Sequence, residues 1–249
     1  MKKIIGTLIL VLLVVVIGSI AVGSTFLSPL DVLKTLVGQG DSKTELVIWS
    51  LRMPRILLAL LVGIALAVAG AILQSIVRNP LASPDVIGIT HGASLAVILF
   101  LFIYSTNGQS QSLTVSINWM PVAAFLGAAI IGITIYVLSL KQGHVSTGTL
   151  VLVGVGMAMF ANSVTTLMMM KSAIHQAAQA NLFITGTVSK ATWEQVTFLS
   201  IILAILLIFV WMSVSHINVQ QLHEDSARSL GNPIQKQRLL FLMLSTGLA

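Results

Sequence analysis

Charge is what this sequence has least of. Asp, Glu, Lys and Arg make up 8% of its 249 residues, against 56% hydrophobic residues and a mean hydropathy of +1.00. A water-soluble domain carries about 25% charged residues, because its surface must face water. So few charges cannot cover a folded surface of this size. That excludes a soluble globular protein and leaves lipid as the solvent. Cysteine is absent, which excludes disulfides, thiolate metal sites and a Cys nucleophile. The 13 Lys and Arg give a net charge of +6 and a pI near 10.0. They stand singly between apolar runs and form no basic stripe, so nucleic acid is not the partner.

Catalytic groupings are missing too. His91, His144, His175, His216 and His223 are dispersed without paired ligand spacing, so no metal site is expected. Met168, Met169 and Met170 close an apolar helix and read as packing rather than a soft-metal site. No phosphate-cradling glycine loop is present, so the chain itself binds no nucleotide. No cofactor is implied.

What is present is apolar length. A bilayer core about 30 Å thick needs about 20 apolar residues of helix. Uncharged stretches of that size recur at Ile4 to Val22, Ile56 to Val77, Val86 to Tyr104, Trp119 to Leu140, Thr149 to Met170 and Val196 to Val214. Lipid offers the backbone no hydrogen bonds, so each is expected to be a helix; the alternation of a membrane barrel is absent. The fold class is therefore all-α, a polytopic transmembrane bundle with six complete spans. A seventh stretch from Leu239 reaches only Ala249, which suggests a single transmembrane domain over 1–249 that is cut short at its C-terminus. The apolar core of the first stretch exceeds that of a signal peptide, so it reads as a retained helix, with Lys2 and Lys3 holding the N-terminus in the cytoplasm. Alternation then puts seven Lys and Arg inside and six outside, a slight inside bias.

Loop punctuation is sharp. In the stretch from Arg78 to Asp85, Asn79-Pro80 stops one helix, and Ser83 N-caps the next with Pro84 at its first position. Ser146 or Thr147 caps the fifth span. Four spans carry small residues at every fourth position: Gly63, Ala67, Ala71; Gly88, Gly92, Ala96; Ala124, Ala128, Gly132; and Gly154, Ala158. Such faces let helices approach closely in lipid. On the fifth span the row continues through Asn162 and Thr166. Polar groups there line either a water-filled path or an interhelical contact.

Two features exceed packing. Arg52 and Arg55, on the outer side, share one face of an expected helix start. They read either as snorkelling cations or as a docking pair for carboxylates of an external partner. The inner segment 215–238 holds a short amphipathic pattern, Val219, Leu222, Ala227 and Leu230, with Glu224 and Arg228 paired at i,i+4 and Gly231 and Pro233 at its end. Such a helix lies on the membrane surface or fits a partner's groove.

The run LRMPRILLALLVGIALAVAGAILQSIVRNPLASPDVIGITHGASLAV, from Leu51 to Val97, closely resembles the signature region of the FecCD-type permeases. Those are the membrane subunits of ABC importers for ferric siderophores, haem and vitamin B12. LHEDSARSLGNP, from Leu222, is similar to the family's coupling segment. This chain has His223 where the family usually has Gly, and His91 where Asn usually precedes the GA pair. The resemblance implies about ten spans in the full fold. It also implies a second permease subunit (identical or not), two cytoplasmic ATPases, an external solute-binding protein and a multi-pass place in the cell membrane. It would make Arg52 and Arg55 binding-protein docking residues. Leu222, Glu224, Asp225, Ala227, Arg228, Ser229, Leu230 and Gly231 would be ATPase-coupling residues. Gly154, Ala158, Asn162 and Thr166 would line the path, and Arg78, Asn79, Pro80, Leu81 and Pro84 would form the signature loop. The expected function is ATP-driven import of an iron(III)-siderophore complex, with haem or cobalamin as alternative cargo. The permease itself is not an enzyme. Two other classes are a secondary transporter or channel, which acids within the spans would favour, and a membrane enzyme, which needs a polar catalytic cluster in or near them. The six stretches hold no acid, and no such cluster is found.

Overall fold

The computed structural model describes residues 2–23, 26–104, 116, 119–141, 144–172, 174–220 and 234–249. Among these the chain is almost wholly helical. It forms two compact units, 1–64 with 188–203 and 65–187 with 204–249.

The first unit begins with α1 (Lys2–Ala21), apolar on every side and exposed along most of its length. A helix of that kind is one solvated by lipid. α2 (Pro29–Leu36) comes after it. Next come α3 (Ser42–Glu45), a π-helical segment over Leu46–Arg52, and α4 (Met53–Val77). These last three form one continuous helical run, Ser42–Val77. The apolar stretch begins at Ile56, with Arg52 and Arg55 at the expected helix start; the structure corrects this by starting the helical run at Ser42. Pro54 lacks an N–H, and its ring crowds the carbonyl four residues back, at Ser50. That carbonyl lies inside the π-helical segment, where the widened turns accommodate the proline without ending the helix. Ile20, Ala21, Val32 and Ile48 form this unit's buried cluster.

The second unit takes α4 from Ala65 onward and carries the remaining helices. α5 (Pro84–Ile87) is a single turn and α6 (Ile89–Tyr104) has 16 residues, about 24 Å of rise. The expected third span is thus broken. Gly88 stands between its pieces with φ +88°, a conformation glycine adopts without strain. The Ser83 N-cap holds as expected: its hydroxyl accepts the Val86 N–H at 3.3 Å, with Pro84 in the first turn. α7 (Met120–Leu138) leads to a short antiparallel pairing of β1 (Leu140–Lys141) with β2 (His144–Val145). α8 (Thr147–Lys171) is capped by Ser146, and α9 (Ile174–Thr185) lies between the fifth and sixth apolar stretches. α10 (Trp193–Gln220) begins in the first unit and ends in the second. It runs past Val214, so residues 215–220 are helix rather than the start of a loop. α11 (Ile234–Leu248) closes the described chain.

Among the described residues, five helical stretches are long and apolar enough to cross a membrane; α6 is shorter. The small-residue faces work where helices meet. A Cβ on Gly92 would lie 2.7 Å from Ile131 Cβ, and one on Gly154 would lie 2.9 Å from the Ile87 carbonyl oxygen. A Cβ on Gly63 of α4, by contrast, would meet nothing within 4 Å.

Candidate functional site

The break at Gly88 positions a polar region of the second unit. A Cβ on Gly88 would sit 3.0 Å from the Ala158 backbone nitrogen and from the Gly154 carbonyl oxygen. Backbone therefore packs on backbone, and α5 is held against the middle of α8. Ala158 lies 11 residues, about 16 Å, from Thr147 along a 25-residue helix.

Beside this contact lies a cavity of about 300 Å³. The α5–α6 corner contributes Asp85, Thr90, His91 and Ser94; α8 contributes Asn162, Thr165, Thr166 and Met169; α9 adds Asn181 and Ile184. The Thr90 hydroxyl donates to Asp85 Oδ1 at 2.5 Å. His91 Nδ1 is enclosed and has no hydrogen-bond partner. Buried polar atoms are nearly always paired, so an orphan of this kind calls for a physical explanation.

Of the path residues expected from sequence, Gly154 and Ala158 are buried against α5, while Asn162 and Thr166 line the cavity. One row of α8 thus divides into a packing half and a polar half. Sequence reasoning missed Asp85, Thr90, Ser94 and Asn181, and gave His91 no site role, only a departure from the family's usual Asn and a place among dispersed histidines. Asp85 immediately precedes the apolar stretch that begins at Val86, so hydropathy leaves it outside the span. The available signal was Gly88, a turn-former inside an otherwise apolar run.

The signature loop leads into this corner. Arg78 adopts φ +53°, and its Nε donates to the Gln220 carbonyl at 2.9 Å, at the end of α10. Asn79 Oδ1 accepts the Leu81 N–H at 2.9 Å and closes the turn. Pro84 is buried, whereas Pro80 and Leu81 are exposed.

The docking pair divides. Arg55 is exposed, but Arg52 is only 8% exposed, and its guanidinium donates to the Ile20 carbonyl at the end of α1. A cation near a helix C-terminus is favoured by the unpaired carbonyls there. Arg52 therefore joins two helices, whatever else it does. The coupling residues Leu222, Glu224, Asp225, Ala227, Arg228, Ser229, Leu230 and Gly231 lie outside the described residues. The start of α11 is firmly held. The Arg238 guanidinium donates to the Val145 carbonyl, Gln235 Oε1 accepts the Val145 N–H at 3.2 Å, and the Tyr136 hydroxyl donates to the Gln235 carbonyl at 2.9 Å.

The sequence profile of the FecCD transport family matches residues 10–249. The chain belongs to the FecCD transport family. This FecCD chain is 48% identical over 235 residues to a probable siderophore transport system permease of Bacillus subtilis, covering 94% of this chain and 67% of that protein. It is 38% identical to the achromobactin transport system permease of Dickeya dadantii, covering 97% and 67%. A solved structure described as an inward-facing conformation of a metal-chelate type ABC transporter superposes with a TM-score of 0.80 at 26% identity, covering 100% of this chain and 74% of its own. Family membership, together with the long apolar helices, makes the chain a multi-pass membrane permease.

Proposed function

We propose that this chain is the permease subunit of an ABC importer whose cargo is an iron(III)-siderophore complex. The observation that carries the reading is the polar cavity at the α5–α6 corner, set among lipid-solvated helices of a FecCD-family protein. Polar side chains at membrane depth mark substrate pathways when they face an open space. The similarity to siderophore permeases supports the choice of cargo.

In this reading the N-terminus is cytoplasmic, with Lys2 and Lys3 anchoring it. A second permease subunit completes the path, and two ATPases grip the segment containing Glu224 to Gly231. An external binding protein delivers the cargo to an outer face on which Arg55 is exposed. The permease forms and breaks no covalent bond; ATP hydrolysis by the partner supplies the energy difference between outward- and inward-open states. Displacement of the coupling segment enters the second unit through Gln235 and Arg238, which hold the β1–β2 corner immediately before α8.

Asp85 favours a second reading, a secondary transporter, since an acid beside the middle of α8 could carry a proton or ion. One experiment separates the two. The intact importer is reconstituted in vesicles with its ATPase and binding protein, and uptake of a radiolabelled ferric siderophore is followed with and without internal ATP. Uptake is expected only with ATP. Uptake that persists without ATP and tracks an imposed ion gradient overturns the ABC reading.

A further inference from the structure

We propose that the α6–α8–α9 cavity is a charge-selective station, one that accepts a neutral or cationic, hydrogen-bond-donating part of the cargo and disfavours anionic chelates. The inference rests on the importer reading and deepens it.

Depth comes first. Asn162 stands 15 residues from Thr147 and nine from Lys171, about 22 and 13 Å along α8. Asp85 lines the same cavity and is exposed there. A carboxylate at such depth is costly against lipid tails, so it faces protein or water. The cavity is therefore part of a wet interior and not of the lipid-facing wall.

The second argument is a count of protons. A hydroxyl has one hydrogen to donate and two lone pairs with which to accept. Ser94 spends its hydrogen on the Thr90 carbonyl at 2.9 Å, Thr165 on Ala161 at 2.8 Å and Thr166 on Asn162 at 2.9 Å, while Thr90 spends its own on Asp85. Each hydroxyl is left with lone pairs alone, and the Asp85 carboxylate only accepts. The lining is thus rich in acceptors. The amide groups of Asn162 and Asn181 and one imidazole are the side-chain donors that remain.

Charge points the same way. Asp85 is the single formally charged side chain among the lining residues, with histidine counted neutral, and no Lys or Arg is among them. Acceptors around one negative charge complement an ammonium or amide N–H and repel a carboxylate or catecholate. A bound donor–acceptor group such as an amide would also satisfy His91 Nδ1, now enclosed without a partner. At about 300 Å³ the space matches the lower end of ligand pockets. It would take a pendant group of a chelate and not a whole large one.

A free monovalent cation shares this chemistry, so the test separates the two sources. In vesicles holding the intact importer with ATP, uptake is compared for ferric trihydroxamate chelates bearing a pendant ammonium, amide or carboxylate. The comparison is repeated with sodium and potassium replaced by N-methylglucamine. The ammonium and amide forms should enter faster than the carboxylate form in either medium. Asp85→Asn should lower the ammonium-to-carboxylate rate ratio about tenfold, and Asn162→Asp should raise it. The binding protein is the same throughout, so its own preference cancels, and opposite shifts from two variants cannot arise from misfolding. Ratios that stay equal across the three proteins overturn the station while leaving the importer intact. Uptake that requires sodium or potassium but ignores chelate charge assigns the cavity to a free cation and also overturns it. Failure of every chelate to enter with ATP overturns the importer reading itself.

Discussion

Gly18 in α1 and Gly154 in α8 are the same residue in two helices of similar apolar appearance, and their surroundings are opposite. A Cβ on Gly18 would meet nothing within 4 Å, whereas one on Gly154 would press on the Ile87 backbone at 2.9 Å. α1 is exposed along most of its length, as a lipid-facing helix is, and such residues are interchangeable with others of similar hydropathy. α8 is a packing and lining element whose residues are fixed position by position. Hydropathy reads the first kind of helix almost completely and the second hardly at all.

Three substitutions in the intact permease would test that contrast, each monitored by thermal unfolding in detergent and by the yield of monodisperse protein. The largest effect is expected from Gly154→Leu, which drives a side chain into the backbone of α5. It should cost roughly 3 kcal/mol or more and lower the yield of folded protein. A stable Gly154→Leu protein would show that α5 is not held against α8. Next is Arg52→Met, which keeps the aliphatic stem but leaves the Ile20 carbonyl without its buried donor. About 1–3 kcal/mol should be lost. Unchanged stability would instead return Arg52 to a purely external role. The smallest is Gly18→Ala, expected to change stability by less than about 1 kcal/mol, in the stabilising direction, because alanine restricts an unfolded backbone that glycine leaves free. A large loss there would mean that α1 has a protein neighbour.

Much of the candidate site was legible before the fold. Ser83 and Pro84 announced a helix start, and the run Gly154, Ala158, Asn162, Thr166 announced a helix whose face turns from small to polar. Both features are local, set by side-chain caps and by the period of one helix. Asp85 was not legible. Any window long enough to find a membrane span averages over the turn at Gly88, so the acid falls outside the apolar stretch and is assigned to water. Arg52 failed in the same way: Pro54 beside it reads as a helix start unless the preceding turns are known to be widened. The helix α9 escaped because its 12 residues carry too few apolar positions to stand out as a span.

The sequence by itself determined the solvent, the helical class and the family. These depend on sums over many residues, and no single contact can reverse them. Tertiary structure alone decided how deep Asp85 lies and whether Arg52 is free, because depth is set by which backbones touch. At Gly88 and Gly154 that contact is made by residues with no side chain, 66 positions apart, and hydropathy has nothing to read there.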